Sequence, residues 1–484
     1  MAVDEVLISV APGETRAAFL VGGEVERFIL DRPSSGPRIG DLYLGRVTKS
    51  VAALDAAFVD IGFRDAGFLA LTEARPNGLY GGTIKQFANE GDRVVVQVTR
   101  TPQGGKGAKL TLRPALASAH LVLRPYAGDL APFEESRPAV DPQWLQKFAH
   151  RLPNEAGSWT FLPAAAGASE STIVNEARQL CALWQVALAR SRTMTPPALL
   201  AAGPDPIVAA LAHTLPSARL RVVVDDARVA AKLRSAFPDL STKIQRCLPG
   251  RSVFADSGVD EQIETLLLPV IDLACGGTIS IAETAAVVAI DIDAGATDKG
   301  GREATAFAVN REAADVIARQ VCLRDLAGHI VIDFVPMRRR ANRHKLLTWL
   351  SRAFARHSCP VELAGFTRLG LVELTRRRQG PSLPEMMLEA CPACDGRSRV
   401  MSPLTVALKA LREVLAEDRA APGRIWTIEA PPSVIAALTG AATEARKETE
   451  ARIGRPLKLV TSDRCGLEGY AIHRVMNREQ EGKR

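Results

Sequence analysis

The chain has 484 residues, 47% of them hydrophobic, and a net charge of +7. That length is too great for one hydrophobic core, so three or more domains or subdomains are expected in a chain of otherwise ordinary soluble composition. The 61 basic residues interleave with 54 acidic ones, so an anionic partner is favoured only modestly over a plain solvated surface. The N-terminal MAVDEVLISVAPGETR is not a signal peptide, and no window is apolar enough to span a membrane. Eight scattered cysteines exclude a disulfide scaffold and suit a reducing, cytoplasmic setting.

In chain order, Val6 to Leu30 reads as a strand hairpin turning at Gly22 and Gly23. Leu42–Val47, Ala56–Ile61, Ala66–Leu71 and Val94–Val98 are short strands with turn residues between them, which predicts a small closed barrel such as an OB-fold. A helix is expected over Thr172–Ala189, and AAGPDP, Ala201–Pro206, has the composition of a linker. Helix and strand then alternate: Ile207–Thr214, the strand Leu220–Asp225 and Ala227–Phe237. From about Gly276 the pattern is α/β as far as CPACDG at 391 to 396. A last small domain, Met401–His473, carries helix signals at Leu404–Glu417 and Pro432–Glu450 before the charged tail NREQEGKR.

The chemistry-bearing segment is AAVVAIDIDAG, Ala285–Gly295, a buried strand that turns acidic at its end. Alternation places Asp291 and Asp293 on one face. A Gly-containing loop, TDKGGRE, leads to a long helix with Ala313, Val316, Ile317, Gln320 and Val321 on one stripe and Gly328 as its expected C-cap. A second buried strand, HIVIDFV, ends near Asp333. Such a strand-helix-strand unit makes the two strands parallel, so their carboxyl ends open on the edge where open α/β sheets hold ligands. Carboxylates converging there either cap turns or pair with nearby arginines, or share a hard divalent cation such as Mg²⁺ or Mn²⁺, and two such strand ends flanked by Arg338, Arg339, Arg340 and Arg343 favour the cation. The second arrangement polarises a phosphodiester and activates a water. CPACDG supplies two thiols, half of a four-ligand zinc site, or alternatively a redox dithiol.

IDIDAGAT, NREAADVIARQVCLRDLAGHIVIDF, RLGLVELTRRRQGPSL and CPACDG, with LISVAPGETRAAFL and GRVTKSVAALDAAFVDIGFRDAGFLAL before them, together resemble the ribonuclease E/G family of bacterial endoribonucleases. The matches run in the family's order over nearly the whole chain, and the shorter, ribonuclease G-like form is the nearer likeness. The resemblance implies a multidomain α/β protein with RNase H-like and DNase I-like subdomains, an inserted OB-fold barrel and a small C-terminal domain. On this reading residues 1–38 and 201–275 make the RNase H-like part and 39–115 the barrel. Residues 116–200 hold a degenerate 5′-end sensor, 276–390 the DNase I-like part, 391–400 a zinc link and 401–484 the last domain.

The resemblance further implies magnesium-dependent cutting of single-stranded RNA in RNA processing and decay, rRNA maturation included. It places the two metal-binding aspartates on Asp291 and Asp333, with Asp293, an asparagine in the family, as a further candidate ligand. It places the base-stacking pair on Phe58 and Phe68 and the basic loop residue on Lys106, whereas each phenylalanine taken alone reads as barrel core. Arginines at 338 to 343 and 376 to 378 would clamp the RNA. Cys391 and Cys394 would share one zinc with a second subunit, giving a homodimer, with tetramerisation through the last domain left open.

Three departures from the family pattern stand out. Pro336 replaces an acidic residue, IAETAA lacks glutamates, and FLPAAAGAS has Ala164 and Ala165 where an Arg-Thr pair would grip a 5′-monophosphate. These keep open a second reading, an RNA-binding protein of the same fold with little or no cleavage.

Overall fold

The computed structural model describes residues 3–32, 36–76, 81–102, 106–125, 151–153, 157–214, 216–247, 252–296, 300–357, 359–378, 380–394 and 396–474. The tail NREQEGKR and the first three residues of the TDKGGRE loop lie outside them. The chain divides into two compact units, Met1–Met386 and Met387–Arg484.

In the first unit β1 (Val3–Ala11), β2 (Glu14–Val21) and β3 (Glu24–Asp31) form an antiparallel meander, one strand more than the expected hairpin. The extra turn is the one at Gly13, whose φ of 84° is a left-handed conformation that glycine adopts without steric cost.

The barrel follows, made of β4 (Leu42–Val51), β5 (Ala56–Asp60), β6 (Gly67–Ala70), β7 (Arg93–Arg100) and β8 (Lys109–Thr111). The strand order is β4-β5-β6-β8-β7, and β7 pairs back onto β4, so the sheet closes on itself. Only the β6–β8 pairing is parallel. A closed five-stranded barrel of this kind is consistent with an OB-type fold. On β4 a Cβ at Gly45 would collide with the Val59 side chain of β5.

A three-stranded sheet of β9 (Leu116–Ala117), β10 (Leu121–Arg124) and β11 (Ser158–Phe161) packs against α1 (Glu170–Thr193). Ser169 caps that helix by accepting a hydrogen bond from the Thr172 amide, and Arg190 and Arg192 sit in its last turn, where the helix dipole favours cations. Next, β12 (Ala198–Ala201) adds to β4. AAGPDP is therefore no free linker. Its first residue ends β12, the Gly203 amide donates to Asp41 (2.8 Å), and Asp205 caps α2 (Pro206–Ala212).

The strand β13 (Pro216–Val224) lies parallel to β1, α3 (Ala227–Ala236) follows it, and β14 (Ile244–Arg246) completes a five-stranded sheet ordered β14-β13-β1-β2-β3. The chain's first strands and those after residue 215 thus share one core, which includes Val6, Ile8, Phe19, Val222 and Leu233.

The last sheet of this unit is built from β15 (Val270–Asp272), β16 (Thr278–Glu283), β17 (Val287–Asp293), β18 (Gly328–Asp333), β19 (Glu362–Phe366) and β20 (Val372–Arg376), in the order β15-β16-β17-β18-β20-β19. Between β17 and β18 runs α4 (Arg302–Leu323), and α5 (Arg340–Arg356) follows β18. Both helices cover one face of the sheet. Ile290, Ile292, Ile330 and Ile332 point into them, and burying each side chain contributes roughly 1.5–3 kcal/mol. Small residues on α4, among them Ala306, Ala313 and Ala314, let its axis lie close to the strands. Gly328 is not the helix cap expected from the sequence. Asp325 takes the left-handed conformation (φ 53°) that ends α4, and Gly328 (φ 90°) opens β18 instead.

The second unit has α6 (Pro403–Ala420), then β21 (Trp426–Ala430), α7 (Pro432–Thr439), α8 (Thr443–Ile453), β22 (Lys458–Thr461) and β23 (Ala471–Arg474). Its sheet is ordered β22-β21-β23 over a core that includes Val406, Leu411, Trp426 and Ile428. The single helix expected over Pro432–Glu450 is two, interrupted after Thr439 at Gly440, whose backbone leaves the helical region.

Candidate functional site

The strands β17 and β18 are parallel, and Asp291 stands directly opposite Asp333 in their register. Neighbouring strands lie about 4.8 Å apart, and side chains in register point the same way. Along β17, residues 288, 290 and 292 are buried while 289, 291 and 293 are exposed, so the aspartates occupy the face that the helices leave open. Asp291, Asp293 and Asp333 line one shallow cavity of about 370 Å³, closed on one side by Phe334, Val335 and Pro336.

Neither Asp291 nor Asp333 accepts a hydrogen bond or joins an ion pair among the described residues, and none of Arg338, Arg339, Arg340 and Arg343 reaches them. Among the described residues, then, neither carboxylate caps a turn or pairs with an arginine. Asp293 differs, since one of its oxygens accepts from the Gly295 amide at 2.8 Å. Among the described residues no three Asp, Glu, His or Cys side chains are arranged to hold a metal by themselves. Two adjacent carboxylates without counter-charge still fit an ion such as Mg²⁺, which takes one or two protein carboxylates and completes its shell with water and phosphate.

Sequence reasoning missed what holds this edge in place. Asn310 is fully buried on α4, where its side-chain amide donates to the Val335 carbonyl (2.8 Å) and its oxygen accepts from the Val335 amide (3.0 Å). Each such buried bond contributes about 1 kcal/mol, and together they set the chain leaving Asp333. Glu303, also on α4, accepts from the amides of Arg338 and Arg339 and from the Asn342 side chain, and those bonds hold its carboxyl below the usual range. A polar residue on an otherwise apolar helix stripe was the available signal for Asn310.

On the barrel, Phe58 and Phe68 are cross-strand partners on β5 and β6, with ring centroids 5.8 Å apart and planes at 72°. They are half-buried and stand on the opposite face from Ala57, Val59 and Leu69, which fill the barrel core. The core reading of the two phenylalanines is overturned. Lys49 stands opposite Phe58 and Lys109 opposite Phe68, so two cations that sequence reasoning did not single out flank the rings. Lys106 is exposed in the loop before β8. A Cβ on Gly107 would collide with the Ala66 carbonyl, so glycine is what lets that loop lie against the edge of β6.

Of the arginines at 376 to 378, Arg376 pairs with Asp325 (2.6 Å), and Arg378 lies near Glu283 and Glu385 (3.7 and 3.3 Å). Only Arg377 has no partner among the described residues. Ala164 and Ala165 are 4% and 0% exposed and sit in two different cores.

In the second unit Cys391 is exposed and Cys394 buried, with the Cys394 amide donating to the Cys391 carbonyl at 3.3 Å. The backbone amides of Ala393 and Cys394 hold the Cys391 thiol below its usual value. Two thiols are half of a tetrahedral zinc site, and no described residue adds a third ligand. No helix among the described residues is long and apolar enough to cross a membrane.

Comparison with known proteins places the chain in a family. Residues 117–379, which include β17, α4 and β18, match the Ribonuclease E/G family. The chain is 29% identical over 472 residues to "Ribonuclease G" of Escherichia coli (strain K12), covering 94% of this chain and 96% of that protein. It is 30% identical over 488 residues to "Ribonuclease G" of Haemophilus influenzae, covering 97% and 99%. It is 29% identical over 490 residues to "Ribonuclease E" of Escherichia coli (strain K12), covering 96% of this chain but 45% of that longer protein. With more than half of its length matching one family and relatives aligned from end to end, the chain belongs to the ribonuclease E/G family.

Proposed function

We propose that this protein is an endoribonuclease that cuts single-stranded RNA at a magnesium site on Asp291 and Asp333. The observation that carries the reading is the in-register pair of carboxylates, unpartnered among the described residues, on the open face of β17 and β18. A magnesium ion held there would polarise the phosphodiester and lower the pKa of a water. The chain's own part is to present two carboxylates, to keep arginines away from them, and to fix the Asp333 strand end through Asn310. Asp293, with one oxygen engaged by the Gly295 amide, adds negative charge beside the pair. The barrel would hold the strand by stacking bases on Phe58 and Phe68, with Lys106 at the backbone.

The test is incubation of the purified chain with a fluorescent single-stranded AU-rich RNA, with and without Mg²⁺. Internal cuts that require the ion support the nuclease. Tight binding without cuts supports the second reading, a binding protein, which the departures at Asp293 and Pro336 favour.

Two expectations go with this function. Because Ala164 and Ala165 face the interior, matched RNAs ending in 5′-monophosphate and 5′-hydroxyl are cleaved at rates within tenfold of each other. A larger advantage for the phosphate would mean that a sensor exists elsewhere in the chain. Cys391 and Cys394 bind zinc together with the same pair of a second copy, so the purified protein carries about one zinc per two chains. Chelation and Cys391→Ser each convert the dimer to monomer in sedimentation, and a zinc-free dimer would refute the link.

A further inference from the structure

Between the barrel and the end of β20 lies a cavity of about 380 Å³, lined by Phe68, Thr99, Arg100, Lys109, Arg377 and Arg378, with Glu73 at one side. Its charges do not balance. Glu73 is taken by Arg113 (3.2 Å), Arg378 lies near Glu283 and Glu385, and the Arg100 guanidinium donates to the Arg378 carbonyl. The side chains of Lys109 and Arg377 have no hydrogen bond or salt bridge among the described residues, and Glu73 acts on Lys109 only through its more distant charge. Burial first, then the charges of Arg100 and Arg377, pulls Lys109 below its ordinary value, and burial followed by Arg377 and Arg378 does the same to Arg100. Cations crowded together in a concave site gain most when an anion joins them.

We propose that this cavity seats one internucleotide phosphate of bound RNA, gripped jointly by Lys109 from the barrel and Arg377 from the end of β20, beside the wall formed by Phe68. The seat rests on the reading of the protein as an RNA-binding nuclease and deepens it. A strand stacked on the phenylalanine pair is handed from the barrel to the sheet that carries the carboxylates. Arg376 stands opposite Gly328 on β18, so Arg377 lies at the end of β18 away from Asp333. At 3.3–3.4 Å per residue the two are separated by on the order of 17 Å along the sheet. A few nucleotides of extended strand bridge that distance. Affinity for the scissile region therefore depends on a contact that neither the barrel nor the sheet makes alone.

The test is fluorescence anisotropy with a labelled single-stranded RNA of roughly 12 nucleotides, a length within the footprint of one barrel of this type. EDTA prevents cutting, and salt is varied between about 50 and 200 mM. In Lys109→Ala/Arg377→Ala the slope of log K against log salt falls by about 0.7, the increment for one phosphate on a single strand. Each single variant already shows most of that fall, because both cations serve the same phosphate. Both side chains line an open cavity, so folding is not at stake.

An unchanged slope in the double variant overturns the proposal, as does a fall of about 1.4 in that variant, the signature of two separate contacts. Phe58→Ala/Phe68→Ala serves as the control, weakening binding at every salt concentration while leaving the slope in place. If that control behaves as stated and the Lys109 and Arg377 variants do nothing, the seat is wrong and RNA binding stands. If the unaltered protein binds no RNA, both are wrong.

Discussion

Asp333→Asn abolishes magnesium-dependent cleavage while RNA binding, measured in the same buffer without the ion, stays within twofold of the parent. The substitution keeps the size and polarity of the side chain and removes one of two adjacent charges, so the change falls on cation affinity and not on the fold. Electrostatic stabilisation by a bound divalent ion is worth several kcal/mol. At 1.36 kcal/mol per decade that corresponds to a fall in kcat of about 10³-fold or more. Asp291→Asn has the same effect because the two stand in register on neighbouring strands. The double variant is little worse than either single one, as expected of groups that act as a unit. Asp293→Asn is milder, since the Gly295 amide already holds one of its oxygens. Single-turnover cleavage of a labelled RNA across a magnesium titration reads all four proteins. A loss of less than tenfold in Asp333→Asn, with the titration midpoint unmoved, would remove this residue from the site.

Phe58→Ala and Phe68→Ala each weaken single-stranded RNA binding by about 1–3 kcal/mol, the worth of one base stacked on an aromatic ring, or roughly 5- to 150-fold. The effect appears in KM, and kcat at saturating RNA is retained, because the stack is made equally in the ground and transition states. The rings contact each other edge to face, so removing one exposes the other, and the two losses do not add. Thermal unfolding supplies the contrary measurement. A phenylalanine in a packed core costs about 3–5 kcal/mol when cut back to alanine, whereas these two stand outside the barrel core and leave the melting temperature nearly unchanged. A drop of several degrees with unaltered RNA affinity would return them to the core.

Much of this site was legible before any fold was available. The alternation VVAIDID places Asp291 and Asp293 on one face because successive residues of a strand point to opposite sides, a property of the backbone alone. The intervening helical stripe predicts a parallel crossover, since a chain that leaves a strand, runs back through a helix and re-enters the same sheet arrives parallel. The barrel was readable from short strands and turn residues, although β8, three residues long, was too short to show a period. Helix ends were less legible. Gly328 has the residue type of a cap, but the left-handed turn that ends α4 is taken by Asp325, a choice made where the helix end packs.

What the sequence by itself determined is the pair with which the proposal begins, two acidic strand ends on one face, because the sheet's twofold repeat and the handedness of the crossover are set by local sterics. What only the tertiary structure decided is the company they keep. Four nearby arginines could have neutralised the pair and do not, Asn310 on α4 holds the strand end from behind, and Lys109 meets Arg377 across a cavity between elements distant in the chain. Whether a charge is paired or free depends on which long-range contacts the fold makes, and no residue's immediate neighbours in sequence carry that information.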